Sequence, residues 1–464
     1  MRAAAIAVTL LAVCAILFSL FAFTRFSSGN LLSDFRAFYC AAGLERQRID
    51  SYRQEPLYRC EAQSTSPALW RASGNVTDPA PLPPYALAAF VPLSLLPYAG
   101  AAALWSAVLL CAWAVVALCL RRLAGVSWTV AVCSFVFAAM MSVSLGQIAP
   151  LAIAAVVAAA VLLEMRRFGF AGMVAAIAMI EPHVALPVCV AIFCAFSRAR
   201  ASMLVTSIVM LAISAAFGIE RNVEYVASVL PAHALSDVAD VGQFSATVLA
   251  HVAGFGDSLA TRIGTLWYLL SCIGGIATAL VLRKTTGRDA MVALIPMAFA
   301  VFGGAYVHWQ QVVGAIPALM LIANYGRQRS LYAAALVGLA IPWLYVVGWG
   351  FLIPGAVAIG ALLIYDIVRP PMLVESVLAA GIFLGLLLCN HGLAHGAAQA
   401  PFVAATAPND WADASWGDYV RARIPIGSAM FFWLHVPTWL ALAATLAMSV
   451  RAARAPKTLT APAL

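Results

Sequence analysis

Charge is scarce in this chain. Asp, Glu, Lys and Arg make up 10% of its 464 residues, against about 25% in soluble globular domains. Hydrophobic residues make up 64%, and the mean hydropathy is +0.94. An ordinary water-soluble enzyme is therefore excluded, because that much apolar surface has to face lipid. Several catalytic signatures are also missing. There is no G-x-x-x-x-G-K-S/T loop to cradle phosphates, no G-x-S-x-G elbow, no H-E-x-x-H, no paired C-x-x-C and no D-x-D pair to hold a metal on a sugar nucleotide. The connections expected on the cytoplasmic side are too short to fold a nucleotide-sugar domain. Any chemistry belongs to the membrane or to its far side.

The charges that do occur sum to +8, from 27 Lys and Arg against 19 Asp and Glu. They sit in short clusters between apolar runs, not on one basic face, so a nucleic-acid partner is not expected. Arg121 with Arg122, Arg166 with Arg167, Arg198 with Arg200, Arg283 with Lys284 and Arg288, Arg327 with Arg329, Arg369, and Arg451 with Arg454 and Lys457 all fall on one side if the spans alternate. Short cytoplasmic loops are enriched in Lys and Arg. The run Ala4 to Phe23 reads as a retained first helix. The expected fold class is thus an all-α polytopic membrane protein: one domain over residues 1–450 with about 12 to 14 membrane segments, both termini cytoplasmic, and a tail at 451–464. The expected location is a bacterial-type inner membrane.

Phe168 to Phe196 is Arg-flanked at both ends, yet its 29 residues fall short of the roughly 40 that two spans need. It reads as a short hairpin whose apex, Glu181-Pro182-His183, stops within or near the outer half of the bilayer. Three segments are long enough to work outside: Arg25 to Pro84, Glu220 to Ser258 and Asn390 to Gly427. In the first, Ser33 to Leu44 has an apolar face at helical spacing and is expected to lie on the membrane surface. Pro81, Pro83 and Pro84 end that loop, and Tyr85 to Leu96 is too short to cross. Cys40 and Cys60 share it, and an exoplasmic loop permits either a disulfide between them or two free thiols.

Asp34 is the leading candidate for chemistry. Flanked by Leu31, Leu32, Phe35 and Phe38, it reads either as a carboxylate whose desolvation suits it to general base work or as a helix N-cap. Glu181 and His183 at the hairpin apex read as functional ionisable groups or as partners of the backbone broken at Pro182. His308, in Tyr306-Val307-His308-Trp309-Gln310-Gln311, reads as a residue that orients a carboxylate or binds a phosphate, or as an interfacial His beside aromatic neighbours. Gln147 is a polar turn at another outer helix end. His391, His395, Asp410, Asp413 and Asp418 read as a solvated loop, and His391 with His395 lacks a third ligand, so no metal site is expected. Asn75-Val76-Thr77 fits a glycosylation sequon too short to carry weight.

An ordered series of short motifs resembles the GT-C glycosyltransferases, and within them glycosyltransferase family 87, the polyprenyl-phosphate-mannose-dependent alpha-mannosyltransferases. The series runs from Ser33-Asp34-Phe35-Arg36-Ala37-Phe38-Tyr39 through Asp50-Ser51-Tyr52 and Pro83-Pro84-Tyr85 to Leu145-Gly146-Gln147. It continues with Glu181-Pro182-His183, Gly242-Gln243-Phe244-Ser245 and Tyr306-Val307-His308. The resemblance implies a GT-C-like bundle whose exoplasmic loops carry short amphipathic helices. It implies Asp34 as catalytic base, His308 as its partner or a phosphate contact, and Arg36, Tyr39, Tyr85, Gln147, Glu181, His183 and Tyr306 around the donor. The substrates it implies are a polyprenyl-phosphate-linked sugar and a glycolipid or lipid-linked glycan acceptor, with no cofactor. Glu181 stands where the family more often has Lys, and Tyr306 where it often has Trp. Two rival readings follow from the same features: a secondary transporter built on a broken helix, and a ligase or polymerase of lipid-linked glycans that would rely on the 390–427 loop.

Overall fold

In the computed structural model the described residues are 32–65, 70, 76–240, 242–304, 306–325, 329–348, 350–368, 411–423 and 429–454, with 13–14 and 16–17. Most of the expected first helix, Asn75, His391, His395, Asp410 and most of the tail lie outside them. Among the described residues the elements are helical, with only two isolated bridges, Arg53 with Trp411 and Gln243 with His308. The chain is an all-α polytopic membrane protein.

Its apolar helices fall into two lengths. Six are long enough to cross a membrane: Tyr98–Ala124, Trp128–Leu145, Ser197–Ala216, Asp257–Thr286, Gly350–Val368 and His435–Arg454. Six more are shorter: Ala149–Glu164, Phe168–Ile180, Pro182–Ala195, Met291–Gly303, Trp309–Ala323 and Arg329–Ala340. At 1.5 Å per residue a 13-residue helix spans about 20 Å, well under the roughly 30 Å hydrocarbon core. Some of the short helices occupy the interior, while the pair Phe168–Ile180 and Pro182–Ala195 keeps an exposed apolar face with Phe170, Ile177 and Leu186. Met291–Gly303 and Ile316–Ala323 are buried almost throughout, whereas Ser197–Ala216 turns Leu204, Val205, Ile208 and Leu211 outward.

The two sets are aligned at the Arg-bearing end. Arg288 pairs with Glu164 at 2.9 Å and donates to the Leu123 carbonyl, Arg283 donates to the Ala195 carbonyl, and Asn324 donates to that of Ala124. At the opposite end the short helices stop early. The Tyr268 hydroxyl, eleven residues into Asp257–Thr286, donates to the His183 carbonyl at 2.7 Å, so the hairpin apex lies about 16 Å along that helix from its Asp257 end. The expected short hairpin is present as Phe168–Ile180 and Pro182–Ala195.

The first loop packs into the recess this creates. Its helix Ser33–Arg46 is mostly buried within the protein, which corrects the expectation of a surface-lying amphipathic helix. Phe35, fully buried, stacks on Trp105 with ring centroids 5.8 Å apart and also meets Tyr98 and Phe90, while Trp105 donates to the Gly146 carbonyl. Gly146 has φ +80°, and a side chain there would run into the Phe35 backbone, so this turn accepts only glycine. A disulfide joins Cys40 to Cys60 on the next helix, Gln54–Ser64.

Arg36 is the ionic centre of this loop. It contacts Glu61 at 3.3 Å and Asp78 at 2.8 Å, under the Trp70 ring, with 2% of its surface exposed. Truncating one member of such a buried cluster strands the others without compensation. Arg36→Ala is expected to destabilise the folded protein by on the order of 3 kcal/mol, read as a drop in thermal midpoint in detergent; an unchanged midpoint would contradict the assignment.

Candidate active site

The ends of the short helices opposite the Arg clusters deliver the polar turns to one place. Gly146-Gln147 precedes Ala149–Glu164, Glu181 separates the two hairpin helices, and residues 304–308 separate Met291–Gly303 from Trp309–Val312. Nothing in lipid satisfies exposed backbone or carboxylates at that depth, so the turns must satisfy one another. Three glutamines do much of this. Gln147 donates to Asp34, Gln311 donates to Glu181 at 2.9 Å, and Gln243 donates to Asp237 at 3.0 Å. The Oε1 atoms of the last two accept backbone N–H groups: Gln311 from His308 at 2.8 Å and Gln243 from Val307 at 2.6 Å. The 306–308 turn is thereby clipped to the hairpin apex and to the second outer loop.

Asp34 lies in the first turn of Ser33–Arg46, half-buried, with Ser33 donating to its Oδ1 at 3.1 Å. The N-cap is Leu32, in left-handed backbone (φ 58°), with its N–H bonded to Ser144. The capping alternative for Asp34 is thus not realised, and its carboxylate is directed at Gln147. Burial, reinforced by Asp78, pushes the Asp34 carboxyl up to about 7 against the opposing pull of Ser33, His308 and Arg36.

His308 sits between two carboxylates, Asp237 at 3.4 Å from Nε2 and Asp240 at 3.6 Å from Nδ1. Burial alone would favour the neutral ring, but Asp237 and Asp240 outweigh it and hold the imidazole up to about 9. At neutral pH the site thus holds a cationic His308 close enough to Asp34 for each to act on the other's charge.

Glu181 and His183 join this cluster, with His183 Nε2 3.5 Å from Glu181 and the His183 ring 4.9 Å from that of Tyr306. Tyr85 borders it, donating to the Met179 carbonyl at the apex. Two anticipated donor contacts are placed otherwise. Arg36 is engaged inside the protein by Glu61 and Asp78, and Tyr39 donates to the Leu96 carbonyl while packing edge-on against Tyr98.

Residues that the sequence left among solvated loops also belong here. Asp413, expected in solvent, is 2% exposed and contacts His233 Nδ1 at 2.9 Å, while Asp418 is exposed as anticipated. Trp416 donates to Asp237 at 2.8 Å. The signal for this group is only faint in sequence: His233, Asp237 and Asp240 lie three and four residues apart, a helical spacing that becomes informative once the loop is known to fold. Among the described residues no group of His, Cys, Asp and Glu is placed to hold a metal ion.

Residues 82–302 match the model of glycosyltransferase family 87. The match spans Gln147, Glu181, His233 and Asp237 and stops short of Asp34 and His308 at either end. Together with the apolar helices it indicates a membrane glycosyltransferase. No curated protein and no solved structure matches the chain.

The raised Asp34 carboxyl can be read directly. Infrared difference spectra of wild type minus Asp34→Asn are expected to show a protonated carboxyl band that disappears with a midpoint near pH 7. A midpoint near 4, the ordinary carboxylate range, would contradict the desolvated setting described here.

Proposed function

We propose that this protein transfers a hexose, mannose being the commonest case in the family it resembles, from a polyprenyl-phosphate sugar to a glycolipid or lipid-linked glycan at the exoplasmic side of the membrane. The observation that carries the reading is that Asp34, facing Gln147, and His308, set between Asp237 and Asp240, lie close enough to act on each other's charge, burial pushing the carboxyl up to about 7 and the two carboxylates holding the imidazole up to about 9. The first suits the deprotonation of a hydroxyl, and the second suits the anionic charge of a leaving phosphate.

In the proposed step the acceptor oxygen attacks the anomeric carbon and gives its proton to Asp34. The bond from that carbon to the phosphate oxygen breaks, and polyprenyl phosphate departs with the electron pair. One base suffices for such an inverting displacement. His308 offers a positive charge where phosphate charge develops, inside a site where such interactions weigh more than in water. Glu181, His183 and Tyr306 would bind sugar hydroxyls and the sugar face, and Gln147 would keep Asp34 aimed. Arg36 holds the loop that carries Asp34. The depth of the site fits a lipid-linked donor, whose phosphate reaches the recess while its chain remains in the bilayer. Alternation of the spans and the clustering of Arg at the opposite end support the exoplasmic placement.

Two outcomes test this. Asp34→Asn in lipid, supplied with labelled polyprenyl-phosphate sugars and membrane lipid extract, is expected to lose label transfer by at least about 100-fold while its thermal midpoint is retained; transfer near the wild-type rate would exclude Asp34 as base. The pH dependence is expected to be bell-shaped. Activity rises through about 7 as Asp34 ionises and falls through about 9 as His308 loses its proton. A profile flat from 6 to 10 would contradict both roles.

A further inference from the structure

The Asp237 carboxylate is shared between two imidazoles. Its Oδ2 lies 3.4 Å from Nε2 of His308 and 3.5 Å from Nε2 of His233, and it also accepts from Gln243, while Oδ1 accepts from Trp416. His233 is bracketed in turn, its Nδ1 lying 2.9 Å from Asp413. Asp237, Asp413 and His233 are each less than a tenth exposed. The result is a buried row of alternating charge, Asp413, His233, Asp237, His308, in which the second and fourth members compete for the third. His233 and Asp237 come from the second outer loop and Asp413 from the helix Ala412–Arg423, so two loops distant in sequence act on one imidazole.

An imidazolium paired one-to-one with a buried carboxylate presents little net charge to anything else, because the carboxylate neutralises it locally. A second cation on the same carboxylate changes this. We propose that His233, held between Asp413 and Asp237, is a positioning residue that takes up part of the Asp237 charge and leaves the His308 charge available to the phosphate of the donor. This rests on the glycosyl-transfer reading above. The other groups facing His308 are Asp240 from the second loop, Asp34 from the first-loop helix, and Glu181 with His183 from the hairpin. Asp413 meets His233, and His233 and His308 both meet Asp237, so Asp413 acts on His308 through that row.

The sign of the effect separates this role from a scaffolding one. Removing the His233 charge removes a like-charge neighbour and gives Asp237 wholly to His308, so the His308 proton is held more tightly while its charge is less useful. His233→Gln is therefore expected to raise the His308 titration midpoint and yet lower kcat by about tenfold or more, with KM for the donor less affected. The chain has seven histidines, few enough to follow by nitrogen-15 resonances of the imidazoles, with His308→Gln assigning the signal. Asp413→Asn is expected to act in the same direction by letting His233 become neutral, and Asp413→Glu to restore part of the wild-type behaviour. Variants that lose rate and thermal midpoint while the His308 midpoint stays put, or moves down, would overturn the proposal. A wild type without glycosyl transfer would sink the functional reading alone, because the titration requires no substrate.

Discussion

A helix of 13 or so apolar residues cannot cross the bilayer's hydrocarbon core, and this chain places several of them side by side at its centre. Their ends therefore fall at a depth where neither water nor headgroups can satisfy a turn. The fold meets that constraint by filling the space above them with loop helices and by tying the turns together through side-chain amides. Gln147, Gln243 and Gln311 each hold one carboxylate, and two of them also hold the backbone of the His308 turn. Ionisable groups persist there beside amides and opposite charges: burial displaces Asp34 upward, and neighbouring carboxylates displace His308 upward against burial.

The loop helix bearing Asp34 illustrates how packing fixes chemistry. Phe35 and the residues around it bury the helix against Trp105, the Gly146 turn brings Gln147 beneath it, and the disulfide and the Arg36 cluster hold its far side. The carboxylate is thus held half-buried at the start of its helix, facing Gln147. Desolvation, with Asp78 nearby, raises the carboxyl to about 7, which gives a group poised near physiological pH.

Much of this was legible in the sequence, for a definable reason. Polar residues inside apolar runs stand out, so Asp34, Gln147, Glu181 and His308 were visible, as was the hairpin, whose length was insufficient for two spans. The Arg clusters marked one end of the bundle. What could not be read was the interior of the outer loops. Asp413 and Asp418 look alike in sequence, yet one is buried against His233 and the other is solvated. Arg36 looked like a cation available to ligands, because Glu61 and Asp78, its partners, lie 25 and 42 residues away. Loop burial depends on long-range packing, which hydropathy does not record.

Glycosyl transfer here requires that the donor phosphate and the anomeric carbon fit beside His308 and Asp34. The most direct measurement is an experimental structure, in lipid, with a non-hydrolysable polyprenyl-phosphonate sugar bound. The expected result places the phosphonate within hydrogen-bond distance of His308, the anomeric carbon facing a space bounded by Asp34, and the isoprenoid leaving sideways into the bilayer. A sugar bound at the Arg-rich end, or a phosphonate remote from both Asp34 and His308, would contradict it.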